Sequence, residues 1–490
     1  MKHRLLRLIA VLLALSLVAA ACGDDDDDDT ADSTDSSAST DDGGDAEDDE
    51  DMAEEDDEDM AEDEGGDEDM AEEATGVVEL AAGTSVDVGE CPEDWSDTTG
   101  VDGDEIRIGW TGPQSGQLAA FGAIGEGMGF YFDYINDTDP VDGKELVLVS
   151  RDDAYESGRA VANVEEMLET EDIFLFAHSI GTPINLAIRP ITDEACVPQI
   201  FNSSGFPFWG DPANFPWTVG NILNYVTETQ IWCSAIVDEF GEGATVAALI
   251  MDNDFGKTYQ NELQNCAAAG QIDLVAEANH DPAAPDVTNE MTTLIGSGAD
   301  VFIAGTTAAF CPQAVGTIAA SDYRPRFYMS YTCNNLSSFF TPVQDAAGLL
   351  ADEGAGVRMT NSNKVCGDPV FADDPDIQLL EQILADYGDV TCQDGSFSTG
   401  IIYGEMVVTA LREAAAAGPL TRTSFMSALW NIDTSSPYLL GGSLKLDGVN
   451  DAYWTEVAQI QEVQVVDGAL TFVAQSDIID FEGQGGSFGG

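Results

Sequence analysis

The stretch FLFAHSIGTP, residues 173–182, is where chemistry first suggests itself in this 490-residue chain. An apolar run leads into Ala177-His178-Ser179-Ile180-Gly181, one glycine short of the G-x-S-x-G turn that presents a nucleophilic serine between a strand and a helix. A hydrolase also needs a base beside that hydroxyl. The chain has 3 histidines. His3 belongs to the N-terminal leader, and His178 adjoins Ser179, so its side chain points away from the same face. His280 lies far from the chain's end, where the elbow's family places its histidine. Ser179 is therefore expected to hold a ligand, not to attack one, and the protein is not expected to be an enzyme.

Other chemistries find less support. Gly122, Gly125, Gly127 and Gly129 fall inside a helical pattern instead of at a strand-to-helix turn, so close helix packing explains them better than a dinucleotide loop. DNDFG at 252 pairs two aspartates but lacks the spacing of a calcium loop. No cysteines stand as C-x-x-C, which disfavours zinc or a redox motif. No cofactor or metal is expected.

The elements that must position Ser179 alternate in type. Ile106, Ile108 and Trp110 mark a strand at period two, and Phe121, Ile124, Met128, Phe132 and Ile135 recur at helical spacing. ELVLVS at 145, IFLFA at 173, VPQIFN at 197, TVAALIM at 245, ADVFIAG at 299 and RFYMSY at 326 read as further strands, several with a helix behind them. Such alternation implies an α/β protein with parallel sheets covered on both faces. Ligands bind beyond the carboxyl ends of these strands. There the sequence places Ser115 and Gly116, then Ser179, Gly181 and Thr182, then Ser203, Ser204 and Gly205. Each serine alone fits a helix cap, whereas three such loops together suggest an anion cradle of backbone N–H groups.

The N-terminus is of another kind. Lys2, Arg4 and Arg7 precede an apolar run from Leu8 to Ala21 that is short for a bilayer span, as in a secretory signal. Val18-Ala19-Ala20-Ala21-Cys22 resembles the lipobox of bacterial lipoproteins, in which Cys22 would carry lipid; an ordinary signal cleaved near Ala21 is the alternative. From Gly23 to about Thr75 the chain has no Lys or Arg and repeats EDMAE at 50, 58 and 68, a composition that cannot form a core. Net charge is −76, from 92 acidic and 16 basic residues. Nucleic acid and anionic lipid surfaces are poor partners for that field.

With strand, loop and helix order in place, IRIGWTGPQSGQLAAFGAIGEGMGFYFDYIN, ELVLVSRDDAYESGRAVANVEEML, FLFAHSIGTPINLAIRPITDEACVPQIFNSSG and MDNDFGKT resemble the type I periplasmic binding proteins, in particular the branched-chain amino-acid-binding family of ABC importer receptors. The resemblance implies two Rossmann-like lobes joined by three hinge crossings, near Val219-Gly220, Val357 to Asn361 and Leu440-Gly441. It divides the chain into a lipoprotein signal at 1–22, an acidic disordered tether at 23–100, a first lobe at 101–220 plus about 358–440, a second at 221–357 plus about 441–475, and a Gly-rich tail at 476–490. It also implies a small-molecule ligand and ABC permease partners at the extracytoplasmic face of a bacterial membrane. Ser179 and Thr182 would hold the ligand's anionic end with the N–H groups of Ser203 and Gly205, Phe255 would pack on its apolar part, and Ser115, Phe121, Ser204 and Tyr331 would complete the site. Amino-acid members commonly place an acidic residue where this chain has Tyr331-Thr332-Cys333, and a buried ammonium without a carboxylate is costly. An amide, a urea-like compound or an organic acid then competes with an amino acid, unless Asp153 or Asp254 supplies the charge. In an exported protein the eight cysteines beyond Cys22 favour disulfides. Bridges within a lobe would leave the lobes free to move, and among the pairings that this allows Cys233–Cys266, Cys366–Cys392, Cys311–Cys333 and Cys91–Cys196 are the ones expected. A lipid-tethered sensor or adhesin with the same fold is the alternative to transport.

Overall fold

A computed structural model describes residues 76–352 and 356–485. The leader, Cys22 and the EDMAE tract lie outside the described residues. After a hairpin of β1 (Val77–Ala81) and β2 (Thr84–Asp87), the strands β3 (Glu105–Gly112), β4 (Glu145–Asp152), β5 (Leu175–Ala177), β6 (Gln199–Asn202) and β7 (Thr218–Gly220) form one sheet. Its order is β4-β3-β5-β6-β7 and every pairing is parallel. Helices α1 (Gly122–Thr138), α2 (Ser157–Thr170) and α3 (Thr182–Glu194) follow β3, β4 and β5.

A second lobe repeats the plan. Helices α4 (Tyr225–Phe240), α5 (Asp254–Ala268), α6 (Thr288–Ser297), α7 (Phe310–Ala319) and α8 (Gln344–Asp352) alternate with β8 (Ala244–Met251), β9 (Ile272–His280), β10 (Val301–Gly305), β11 (Arg326–Met329) and β12 (Val357–Asn361). Strands β9-β8-β10-β11-β12 are parallel, as the unbroken apolar runs TVAALIM and VFIAG require of strands covered on both faces. The chain then returns to the first lobe for α9 (Pro375–Ile383), α10 (Phe397–Ala417), α11 (Arg422–Leu429) and the short pair β13 (Asp433–Thr434) and β14 (Leu444–Lys445). It ends in the second lobe, where β15 (Val457–Val466) and β16 (Ala469–Ala474) extend the sheet antiparallel and β17 (Ile479–Asp480) pairs with β15. Two main apolar cores result, one in each lobe.

Of the helix glycines Gly122, Gly125 and Gly127 pack closely, whereas Gly129 has room, its nearest neighbour being Leu148 Cδ2 at 3.8 Å from an added Cβ. A Cβ on Gly127 would stand 2.0 Å from the carbonyl oxygen of Phe397, and one on Gly400 would stand 2.1 Å from that of Ile124. Helices α1 and α10 thus approach to a separation that only glycine permits.

Several boundaries differ from those expected. Residues 76–100 are not tether: Leu80 and Val86 of the hairpin are buried in the first core, and Cys91 is bonded to Cys196. The strand Val357–Asn361 lies wholly in the second sheet, so that crossing falls at Ser362 and Asn363. Leu444, Leu446 and Trp454 pack in the first core, which moves the last crossing from Leu440-Gly441 to the residues just before Val457. The expected tail beyond 476 contributes β17 and the buried Phe481 before the described residues end. Cys233–Cys266, Cys311–Cys333 and Cys366–Cys392 are also bonded, and each of the four bridges stays within one lobe's core or its margin. Among the described residues no helix is long and apolar enough to cross a membrane.

Candidate ligand-binding site

The carboxyl ends of both parallel sheets face one cavity of about 100 Å³. From the first lobe come Leu118, Phe121 and Ile124 after β3, Tyr155 after β4, Ile180 and Gly181 after β5, and Ser203 after β6. Phe255 after β8, Thr307 after β10 and Tyr331, Thr332 and Asn335 after β11 come from the second. Crossing residues Ile222 and Asn363 and the start of α10, with Ile402 and Tyr403, close the remaining sides.

Contacts between the lobes border this space. Leu118 is buried in the second lobe's core although it follows β3. Phe121 meets Phe339 edge-on at 5.9 Å, and Asn335 Nδ2 donates to the carbonyl of Gly395 at 3.3 Å. Within the second lobe, Phe255 packs edge-on against Tyr225 at 5.2 Å. Gly181, with φ of 101°, lies so close beneath Tyr155 that a Cβ would stand 2.3 Å from that ring. Glycine is needed there twice over, for backbone conformation and for contact.

Charge is scarce around the cavity. Among the described residues no Asp or Glu lines it, and the one cation in the lining, Lys364, is ion-paired to Asp374 at 2.6 Å. Burial pushes the hydroxyls of Tyr155, Tyr225 and Tyr403 upward, and that of Tyr331 to about 12, so all four stay protonated. Tyr331 Oη accepts from Asn363 Nδ2 at 3.1 Å, which leaves its own proton to donate. Behind it, Glu228 on α4 accepts from the backbone N–H of Tyr331 at 2.8 Å and from the hydroxyls of Tyr259 and Thr360. Burial raises this glutamate to about 7.

Four of the residues singled out in the sequence line the cavity: Phe121, Ser203, Phe255 and Tyr331. The other five do not. Ser115 is exposed and donates to Asp152 at 2.7 Å. Ser179 is 1% exposed and its Oγ has no hydrogen-bond partner, so no imidazole activates it. Thr182 and Ser204 bond each other at 2.7 Å, and a Cβ on Gly205 would stand 2.1 Å from the carbonyl of Leu223. These residues shape the loops under the cavity. Asp153 is bonded to Thr111 and to the N–H of Tyr155, and neither it nor Asp254 lines the cavity.

His178 is a satisfied core residue. Its Nδ1 accepts from Asn221 at 3.3 Å, and Nε2 donates to the carbonyl of Tyr403 at 3.1 Å while the two rings stack at 4.1 Å. Burial lowers its pKa to about 3, so the ring is neutral. Tyr155, Tyr225, Tyr403 and Asn363 were not singled out. Tyr155 could have been found, because it follows the paired aspartates of ELVLVSRDDAY at a strand's carboxyl end.

Two parallel-sheet lobes whose strand ends converge on one cavity between them form an arrangement suited to holding a small solute. A family model described as periplasmic binding protein matches residues 105–461, and the chain belongs to that family. Its fold is that of the type I periplasmic binding proteins. No curated protein matches the sequence. Solved structures with the same fold include a branched-chain amino acid ABC transporter protein from Thermus thermophilus with bound valine, at 19% identity over 77% of this chain and 96% of that one, with a TM-score of 0.67. A fatty acid ABC transporter substrate-binding protein from Thermomonospora curvata is similar at 17% identity over 81% and 99%, with a TM-score of 0.66. A solute-binding protein from Rhodopseudomonas palustris BisB5 in complex with 3,4-dihydroxybenzoic acid is similar at 18% identity over 78% and 98%, with a TM-score of 0.63.

Proposed function

We propose that this chain is the solute receptor of an ABC importer, held to the outer face of a bacterial membrane by lipid on Cys22, and that it captures a small uncharged molecule with an apolar body. The observation that carries the ligand class is the absence of any free formal charge from the cavity lining. An ammonium or a carboxylate taken from water into such a space without a counter-charge is strongly disfavoured. Of the candidates raised by the sequence, an amide fits best and a zwitterionic amino acid fits worst. Size supports a compact ligand, because a cavity of ~150 Å³ accommodates benzene. Phe121, Phe255 and Tyr155 would pack on the apolar body, and Tyr331 and Ser203 would offer hydrogen bonds. The proteins of known structure that bind valine or a dihydroxybenzoate show that the fold accepts such bodies.

Thermal shift against a panel grouped by charge tests this, since a specific ligand raises the melting temperature by mass action. Small aromatic or aliphatic amides and alcohols should stabilise the protein, whereas leucine, valine and their relatives should not. Stabilisation by amino acids alone would overturn the assignment. The lipid anchor is tested separately, by mass spectrometry of membrane-extracted protein for a diacylated N-terminal Cys22.

A further inference from the structure

Far along the sequence from the cavity-lining loops, three carboxylates meet where the chain makes its last crossing. Asp451 and Glu456 flank Trp454 just before β15, and Glu482 follows β17. One carboxylate oxygen from each lies within 4.8 Å of the others. Oxygens that ligate one calcium ion at 2.3–2.6 Å can be no more than about 5 Å apart. The cluster satisfies that limit with residues from two separate segments.

A second observation points to an ion. Asp451 is 6% exposed and Glu456 is 2% exposed. Both carboxylate oxygens of Asp451, and Oε1 of Glu456 and of Glu482, receive no donor from outside the cluster, so that only a proton shared among the three carboxyls could bond them. Buried carboxylates are ordinarily paired or bonded, because each unpaired oxygen forfeits its hydration. The neighbouring cation is Lys445 on β14, whose Nζ stands 3.8 Å from Asp451 and 3.9 Å from Glu482, too far to bond either. If all three carboxylates are ionised, one ammonium leaves a deficit of two positive charges, which protons or a bound cation must fill.

We propose that Asp451, Glu456 and Glu482 bind one calcium ion, which fastens the segment entering β15 to the C-terminal strand. An all-oxygen donor set disfavours zinc, and the irregular arrangement suits calcium better than magnesium, which demands near-ideal octahedral geometry. Gly483 N–H, which donates to Glu456 Oε2 at 2.6 Å, holds that side chain in place. Without an ion, burial pushes all three carboxyls up, Glu456 to about 8, and the charge of Asp451 adds to the rise at Glu456 and Glu482. The site then keeps protons that an ion would displace. Asp447 and Asp480 add to the negative field from either side.

Calorimetric titration of the chelator-treated full chain with calcium chloride in ~150 mM salt tests the proposal, because screening weakens binding to the exposed acids. One event per chain should be at least tenfold tighter than the remaining weak phase, and Asp451→Asn and Glu456→Gln should each abolish it while the weak phase persists. Superimposable titrations of parent and variants would overturn the site. Should a variant fail to fold, terbium luminescence sensitised by the adjacent Trp454 in the parent decides. Emission that calcium displaces at equimolar excess, and that Trp454→Phe removes without altering the calcium titration, supports the site. No emission, or emission unaffected by Trp454→Phe, contradicts it.

Discussion

Of two residues that the sequence suggests for the ligand site, Ser179 lies away from the cavity and Tyr331 lies on it. The Ser179 hydroxyl is buried without a partner and does not reach the cavity, whereas Tyr331 lines it with a proton to give. Removing a buried hydroxyl that bonds nothing leaves no orphan behind. Ser179→Ala should therefore change ligand affinity by less than ~0.5 kcal/mol, while Tyr331→Phe should weaken it by about 0.5–1.5 kcal/mol, both measured by calorimetry. Glu228 gives a second prediction at this scale. Its pKa rises from about 4.3 in an unfolded chain to about 7 in the fold, so between those values the folded state holds a proton that the unfolded state has released. Stability from this group is thus greatest below pH ~4 and falls as pH rises toward 7. Glu228→Gln can still accept from Tyr331 N–H, and its amide can donate to the hydroxyl of Tyr259. The variant should gain about 1–3 kcal/mol relative to the parent between pH 5 and pH 8 in denaturant titrations, and parallel curves would contradict this.

At the scale of elements, tight packing was legible where a residue type admits one explanation. Four glycines inside one helical pattern implied close approach, and α1 meets α10 at Gly127 and Gly400. Gly127→Ala should cost about 1–3 kcal/mol or prevent folding, because the added methyl meets backbone that cannot swing aside. The hairpin β1–β2 was not legible. Its sequence, VVELAAGTSVD, adjoins an acidic low-complexity tract, and only the burial of Leu80 and Val86 distinguishes it from tether. Cys91–Cys196 fastens this segment across a separation of 105 residues. Replacing both cysteines with serine should lower stability by about 2–5 kcal/mol in denaturant titrations, with hydrogen exchange of residues 77–87 rising most. The crossings were misplaced by several residues for a related reason: β12 and β14 are short strands whose sheet membership depends on distant partners, which local pattern does not encode.

In the whole molecule, the strand-helix alternation made the two lobes and the side bearing the cavity legible, since ligands sit beyond parallel strand ends in such sheets. The cavity's lining was less legible, because it draws on seven strand ends, two crossings and a helix from the far end of the first lobe. Tyr403 on α10 and Asn363 reach it only through the tertiary path of the chain. The contacts between lobes that border it are likewise tertiary: Leu118 in the opposite core, Phe121 on Phe339, and Asn335 against Gly395. Parting these contacts would widen the cavity, and a ligand that touches both lobes favours the arrangement in which they meet. Peptide-resolved hydrogen exchange of the full chain, with and without a saturating ligand from the panel, reads this directly. The account predicts that residues 116–126 of the first lobe and 331–340 of the second become protected together, while the outer strands β4 and β9 do not change. Protection confined to one lobe, or none at saturation, would contradict capture between two closing lobes.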